Sequence, residues 1–300
     1  MTQPVSLVLA AVIAAVTGGH PRVVTVPVEG ENAPGIPSGP LSEEHSTLER
    51  ALRHWILSQA GIEVGYVEQL YTFGDRDRGR STDARDVALA YLALVQEAAT
   101  ADATWLDWYE LLPWEDHRHG MPPMVEGELI PALERWAGGS GERSARIAGV
   151  FGLDRAGFDG IRVLDRYELL YEAGAVTERY VDRAEQVPAD LPTSCSMASD
   201  HRRIVATALG RLRGKLTYRP VIFELLPDEF TLLELQVTME ALAGVPLHKQ
   251  NFRRLVERNR LVEGTGRRAE STGGRPAELF RFRPEVTRER PRPGLGVPYR

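Results

Sequence analysis

The chain has 300 residues, of which 43% are hydrophobic and 26% are charged, so it is long enough for two packed domains and is neither a disordered nor a fibrous sequence. Its single cysteine, Cys195, excludes an internal disulfide and a zinc site built on cysteine clusters, and it fits a reducing, cytoplasmic location. The net charge of −6 hides a division, because residues 201–300 carry 20 Lys and Arg against 11 Asp and Glu, a net of +9, whereas residues 1–200 carry 16 against 31, a net of −15.

Two apolar runs near the N-terminus predict a buried β-hairpin. Val5–Val16 and Val23–Val28 flank the turn sequence Gly18-Gly19-His20-Pro21. The first run does not read as a signal peptide, because no Lys or Arg precedes it, and it is shorter than the roughly 20 apolar residues of a membrane span. We therefore expect no association with a membrane.

A helix over residues 48–60 follows a loop rich in Gly and Pro over residues 30–40. Its apolar residues recur at helical spacing, Ser42 or Ser46 can cap its start, and Gly61 can end it.

Strands are predicted at Ile62–Tyr66 and at Val87–Val95, with a polar loop from Leu70 to Gly79 between them. A hairpin, a helix and further strands in this order indicate a mixed α/β (α+β) sandwich.

The helix over residues 48–60 and the preceding segment Ile36-Pro37-Ser38-Gly39 together resemble a degraded Nudix box. A functional box has an Arg-Glu pair and, after two further residues, a Glu-Glu pair, then one residue and a Gly. Aligned on Gly61, these two pairs fall on His54-Trp55 and Ser58-Gln59. The resemblance implies a Nudix-like α/β/α sandwich.

Replacement of the acidic residues removes the metal-binding chemistry of the box. Residues at i, i+3 and i+4 share one helix face, where carboxylates of a functional box hold Mg²⁺ against a pyrophosphate. Trp55, Ser58 and Gln59 carry no charge, so the sequence predicts no catalytic residue, no metal site, no cofactor and no hydrolase activity. The alternative is a nucleoside-diphosphate (ADP-ribose) hydrolase that uses atypical acids, with Glu43, Glu44 and Glu49 as candidates.

Thr72-Phe73-Gly74 followed by Arg76-Asp77-Arg78-Gly79 resembles the loop beside the sugar-diphosphate ligand in the ADP-ribose-handling branch of the Nudix family. Two arginines around an aspartate can pair with phosphates and ribose hydroxyls. The resemblance implies an effector nucleotide such as ADP-ribose, NAD or ATP, although a solvated hairpin loop has a similar composition. The predicted ligand-binding residues are Pro37, Gly39, Arg76, Asp77 and Arg78.

The middle of the chain is predicted to be helical. An aromatic cluster over residues 105–114 is assigned to the core or to an interdomain contact. Helices are expected at 124–136, 145–151, 158–174 and 176–187, with a flexible break at Gly138–Glu142 and a linker at Pro188–Ser199. The predicted domains are a Nudix-like ligand-sensing domain (residues 1–136), a helical insert with its linker (137–200) and a winged helix-turn-helix domain (201–300).

The C-terminal hundred residues predict a winged helix-turn-helix. After a helix at His201–Lys215, Thr231 and Glu234 form a capping box that opens a helix ending at Gly244. Only Val245 and Pro246 separate it from a second helix, which begins at about Leu247. Wing strands are predicted at Leu261–Glu263 and Glu278–Phe282.

The second helix has an inward apolar face and an outward polar face. Phe252, Leu255 and Val256 share the inward face, while polar and basic side chains point outward, as in a major-groove recognition helix. The basic residues of the wing loop can enter a minor groove. The predicted DNA-binding residues are Lys249, Gln250, Asn251, Arg253, Arg254, Arg258, Arg267, Arg268 and Arg275.

Four runs in this region resemble the C-terminal domain of Nudix-related transcriptional regulators of NAD metabolism: Arg219–Pro227, Phe230–Gln236, Lys249–Arg254 and Gly274–Ala277. The insert at about 137–200 is similar to that of a variant branch of these regulators. The resemblance implies a homodimeric repressor that binds a palindromic double-stranded DNA operator and responds to a nucleotide effector. A winged helix that binds protein instead of DNA is a further alternative.

Overall fold

The computed structural model describes residues 5–74, 85–100, 102–193, 195–269, 276–289 and 294–296. The N-terminal elements are β1 (Val5–Thr17), β2 (His20–Thr25), β3 (Ser38–Pro40), α1 (Leu48–Ala60), β4 (Tyr66–Phe73), β5 (Arg85–Leu94), β6 (Thr104–Asp107) and α2 (Trp108–Leu111). The middle contains a π-helical turn (Val125–Leu129), α3 (Ile130–Ala137), α4 (Gly141–Phe151), α5 (Val163–Glu172) and α6 (Glu178–Val181). The C-terminal elements are α7 (His201–Leu216), a 3-10 turn (Val221–Leu225), α8 (Leu232–Ala243), α9 (Lys249–Asn259), β7 (Val262–Arg268), β8 (Glu278–Phe282) and α10 (Val286–Glu289). Among these described helices, none is both long and apolar enough to cross a bilayer.

One six-stranded sheet organises the N-terminal part. Its strand order is β4-β5-β1-β2-β6, and β3 pairs with β1 as well. The β1–β5 pair is parallel and the other pairs are antiparallel. The predicted hairpin is confirmed, since β1 and β2 pair around Gly18 and Gly19, which have φ values of +58° and +79° that favour glycine.

The two faces of the sheet bury different helices. Along β1, Leu9, Ala11 and Ile13 belong to the core under α1, while Ala10, Val12 and Ala14 belong to the core that contains α7. This alternation follows from the two-residue period of a strand. The predicted α/β/α sandwich is therefore confirmed.

Helix α7 forms the second helical layer of this sandwich. It contacts β1, β4 and β5 as well as α5 of the middle region. The sequence placed residues 201–216 with the winged helix, but their packing joins them to the sheet. We propose that the boundary between the two parts follows Leu216.

The start of α1 differs from the expectation. Its cap is Thr47, whose extended backbone lets the side chain accept a hydrogen bond from the Arg50 amide at 3.1 Å. Ser42 instead bonds His45, and Ser46 accepts from the Arg50 guanidinium. The end at Gly61, with φ +68°, is as predicted.

The predicted strand at Ile62–Tyr66 was wrong, because the strand begins at Tyr66 and runs to Phe73. Arg53 donates to the carbonyls of Val64 and Gly65, so these carbonyls bond a side chain of α1 and not a sheet neighbour. Residues 70–73, predicted as the start of a polar loop, belong to β4 instead, where Leu70 forms a bulge and residues 71–73 pair with β5.

Two helices of the insert are shorter than expected, whereas α4 begins at Gly141, four residues before its predicted start. The predicted helix at 158–174 begins only at Val163, since Asp159 turns the chain by accepting from the amide of Ile161 at 3.0 Å. The predicted helix at 176–187 is reduced to α6, and Ala184 has a left-handed φ of +52°. The break at Gly138–Glu142 is a tight connection in which Ser140 caps α4.

Candidate nucleic-acid interface and sensor site

Helix α8 supports the helix-turn-helix. The predicted capping box is confirmed, because Thr231 accepts from the Glu234 amide and the Glu234 carboxylate accepts from the Thr231 amide. The helix ends at Gly244, with φ +70°. The turn that follows is tied back to α8, since the Glu240 carboxylate accepts from the amide of Leu247 at 2.8 Å.

Helix α9 buries a narrow apolar face and exposes the rest. Phe252 and Val256 are buried and Leu255 is half-buried, as the helical spacing predicted. Its N-cap, His248, makes no side-chain capping bond, so no cap among the described residues closes the first backbone N–H groups of α9. Six of the predicted DNA-binding residues are exposed on this helix: Lys249, Gln250, Asn251, Arg253, Arg254 and Arg258.

This surface has the chemistry to bind a nucleic acid. Uncapped N–H groups at a helix N-terminus and the neighbouring Lys249 attract phosphate oxygens. Gln, Asn and Arg side chains can make bidentate hydrogen bonds to base edges in a major groove. A helix of 11 residues held by only two fully buried side chains can project into such a groove.

The wing is longer on its first strand than predicted. Arg267 and Arg268 lie at the end of β7 and not in a loop, because a bulge between Gly264 and Arg268, with Gly266 at φ +75°, extends the pairing with β8. Both arginines are exposed, and Arg267 also pairs with Glu229. Arg275 lies outside the described residues.

The sequence interpretation missed the aromatic residues that attach the wing. Phe223 stacks on Phe282 with ring centroids 4.3 Å apart, and it also contacts Phe230. Phe230 and Phe280 exchange backbone hydrogen bonds of 2.8 and 3.0 Å. These phenylalanines recur before α8 and in the second wing strand, and that recurrence is the signal that could have identified them.

The degraded box forms a structural contact. Gln59 accepts a hydrogen bond from the Ser38 amide at 2.9 Å and donates one to the Ser38 carbonyl at 2.8 Å. Trp55 donates from its indole to the carbonyl of Pro40 at 3.1 Å. Its ring covers Gly39 so closely that a Cβ there would lie 2.2 Å from the ring. Two of the three side chains at the metal-ligand positions, Trp55 and Gln59, therefore bind strand β3, whereas Ser58 donates to the carbonyl of Trp55 within α1.

The predicted ligand-binding residues fall into two groups. Pro37 is buried and its carbonyl accepts from the Ala11 amide at 2.8 Å, while Gly39 lies under Trp55. Both residues thus have structural partners within the sheet region. Arg76, Asp77 and Arg78 lie outside the described residues.

The alternative acids are not gathered into a site. Glu43, Glu44 and Glu49 are exposed, and Glu49 accepts from Arg53 at 2.8 Å. Over the ranges that the structure describes, no three His, Cys, Asp or Glu side chains are close enough together to hold a metal ion.

A buried ion network joins residues of the N-terminal region, the helical insert and α7. The Glu115 carboxylate contacts Arg166 of α5 and Arg213 of α7, each at 2.5 Å, and all three side chains are fully buried. The sequence interpretation missed this network. Arg213 occupies the apolar stripe of α7, four residues after Leu209 and three before Leu216, and a charge in that stripe is the available signal.

The end of α8 is bonded to residues outside the winged helix. Tyr109, in the predicted aromatic cluster, donates to the Ala241 carbonyl at 2.7 Å. Arg213 donates to the Leu242 carbonyl at 3.0 Å, and the His117 amide donates to the Gly244 carbonyl at 2.7 Å. The aromatic cluster therefore includes both core and interdomain contacts, as predicted.

Comparison with known proteins identifies the C-terminal part. Residues 222–282 match a family model described as the NrtR DNA-binding winged helix domain. A relative named "ADPR responsive transcriptional repressor NtrR", from Acinetobacter baylyi, is 34% identical over 104 residues. That match spans 35% of this chain and only 41% of the relative.

Two solved structures share the fold over most of the chain. Shewanella oneidensis NrtR complexed with a 27mer DNA has a TM-score of 0.59 at 20% identity, covering 94% of this chain and 95% of that one. A MutT/nudix family protein from Enterococcus faecalis has a TM-score of 0.54 at 15% identity, covering 94% and 88%. The chain thus combines a Nudix-like fold with an NrtR-type winged helix, the architecture of the Nudix-related regulators that its sequence resembles.

Proposed function

We propose that the protein is a DNA-binding transcriptional repressor of NAD biosynthesis genes. The observation that carries this proposal is the set of six exposed polar and basic side chains on α9, within a domain of the NrtR DNA-binding family. Backbone phosphates would be held by Lys249 and the α9 N-terminus, and bases would be read by Gln250, Asn251 and Arg254.

The repressor is proposed to act as a homodimer on a palindromic operator. A single recognition helix in one major groove contacts few base pairs. Two winged helices related by two-fold symmetry would double the number of contacted base pairs, at half-sites one helical turn apart. The wing arginines Arg267 and Arg268 would lie along the adjacent backbone or minor groove.

The Nudix-like part is proposed to bind ADP-ribose without hydrolysing it. The name of the Acinetobacter relative supports ADP-ribose as the first effector to test, with NAD and ATP as competitors. Arg76, Asp77 and Arg78 remain the proposed contacts to phosphates and ribose. The bonds of Trp55 and Gln59 to strand β3 support the absence of turnover, because these side chains take the places of metal-binding carboxylates.

A gel shift across a salt series tests the proposed DNA binding. The probes are DNA fragments upstream of NAD-synthesis genes and scrambled fragments of the same composition. A repressor binds the first set at least about a thousandfold more tightly, a typical specificity ratio. Equal binding to both sets at every salt concentration would contradict the proposal.

A further inference from the structure

Arg166 reaches from the helical insert (residues 137–200) into the interior of the molecule. Its Nε and Nη2 donate to the two oxygens of Glu115 at 2.5 and 2.8 Å. Its Nη1 donates to the carbonyls of Val150 and Asp159, both in the insert, at 3.1 and 2.9 Å. The backbone of the insert therefore orients this guanidinium toward Glu115.

Arg213 lies between the insert and the winged helix. Its Nη1 donates to Glu115 at 2.5 Å and to the Gly160 carbonyl of the insert at 3.0 Å. Its Nε donates to the Leu242 carbonyl at the end of α8, also at 3.0 Å. A carbonyl at the end of a helix has no partner within that helix, so this bond also caps α8. One side chain thus contacts both regions.

The charges of this network hold Arg213 in one orientation. Burial alone would raise the pKa of Glu115, but the guanidiniums of Arg166 and Arg213 hold that pKa below its usual range. Glu115 is therefore ionised between two cations, in an interior where unpaired charge is costly. Removing Arg166 would leave Glu115 with one partner and free the carbonyls that face it.

The end of α8 leads directly to the recognition helix. Five residues, Gly244 to His248, separate α8 from α9, and the Glu240 carboxylate holds the Leu247 amide within this turn. The position of the α8 carbonyls therefore sets the position of α9 relative to the sheet.

We propose that the helical insert positions the winged helix. Arg166 is the positioning residue, and it acts through Glu115 and Arg213 on the C-terminal end of α8. This assigns a role to residues 137–200, the region that the resemblance to Nudix-related regulators leaves unexplained. The operator-affinity test of this proposal rests on the proposed function, whereas the hydrogen-exchange test does not.

Hydrogen exchange of the full-length protein tests the positioning directly. We expect Arg166→Met to raise exchange at least about tenfold at amides 116–118 and at the amides of Gly244, Val245, Leu247 and His248, because removing one partner of a buried ion network weakens its remaining contacts. Amides 51–60 of α1 should be unchanged, and a rise there as well would indicate general destabilisation and overturn the proposal. The matched control is Arg146→Met, which breaks an exposed ion pair with Glu172 in the same insert.

Operator affinity provides the second measurement. Arg166→Met should weaken operator binding at least about tenfold, because it leaves the buried charge of Glu115 with fewer partners. Arg146→Met should leave operator binding unchanged, because it removes only an exposed ion pair. Arg166→Lys keeps the charge without the two-pronged contact, so it should fold and give a smaller change in the same direction.

Two further results would overturn the positioning role of the insert. One is wild-type exchange at amides 116–118 and at the measurable amides between Gly244 and His248 in both Arg166 variants. The other is faster exchange there with unchanged operator affinity. If the wild-type protein binds no operator, the proposed function fails, and the exchange measurement still decides whether the insert holds α8.

Discussion

The hydroxyl group of Tyr109 donates a hydrogen bond of 2.7 Å to the carbonyl oxygen of Ala241, 132 positions farther along the chain. Tyr109 belongs to α2 beside the sheet, and Ala241 belongs to the last turn of α8. Burial raises the pKa of Tyr109, so its hydroxyl stays protonated and can donate at neutral pH. This bond joins the Nudix-like part to the winged helix.

Tyr109→Phe should destabilise the protein by about 1–3 kcal/mol, because it leaves the buried carbonyl of Ala241 without this donor. Urea unfolding measures the change. Tyr71→Phe is the control, since Tyr71 is 60% exposed and its loss should cost less than about 0.5 kcal/mol. Equal midpoints for wild type and Tyr109→Phe would show that the bond contributes nothing to stability.

Arg254→Ala should weaken operator binding by about 1–3 kcal/mol and relax the preference at one base pair, if this exposed side chain of α9 reads a base edge. Fluorescence anisotropy with operator variants measures both effects. Arg155→Ala, an exposed arginine of the insert, is the control for loss of charge alone. The same loss of affinity in both variants would contradict a specific role for Arg254.

The stability of the protein should fall as the pH drops from about 6.5 toward 4. Burial lowers the pKa of His201 from 6.5 to about 4, so the unfolded chain binds a proton there that the folded protein does not. The stabilisation is therefore complete above pH 6.5 and is lost as the pH approaches 4, with a slope of up to about 1.4 kcal/mol per pH unit for one proton.

His201→Gln should flatten this slope, as measured by urea unfolding between pH 4 and 7. Glutamine can still accept the hydrogen bond that the Ile36 amide donates to His201 at 3.2 Å. The exposed His119→Gln is the control and should leave the slope unchanged. Parallel curves for wild type and His201→Gln would contradict a buried neutral histidine at this position.

Local features of this fold could be predicted wherever they depend on neighbours in the chain. The apolar face and the end of α1 followed from apolar spacing and Gly61, and the start of α8 followed from Thr231 and Glu234. The cap of α1 was missed because Ser42, Ser46 and Thr47 all carry suitable hydroxyls, and only the backbone conformation at Thr47 decides between them.

Features that depend on distant residues could not be predicted in this way. Arg213 meets Glu115 across 98 positions, and nothing local distinguishes it from a solvated arginine except its place in an apolar stripe. At the candidate sites, the outward face of α9 was predictable from helical periodicity. The bonds of Gln59 to Ser38 were not, because they depend on where the sheet places β3.

The proposed function depends most on a Nudix-like part that binds a nucleotide without hydrolysing it and thereby changes the affinity of the protein for DNA. The direct measurement is the operator Kd with and without saturating ADP-ribose in the presence of Mg²⁺, with the nucleotide recovered and quantified afterwards. We predict that the Kd changes at least about fivefold, the lower end of typical allosteric coupling, and that the ADP-ribose is recovered intact. An unchanged Kd would contradict regulation by ADP-ribose, and conversion of ADP-ribose to AMP would contradict binding without hydrolysis.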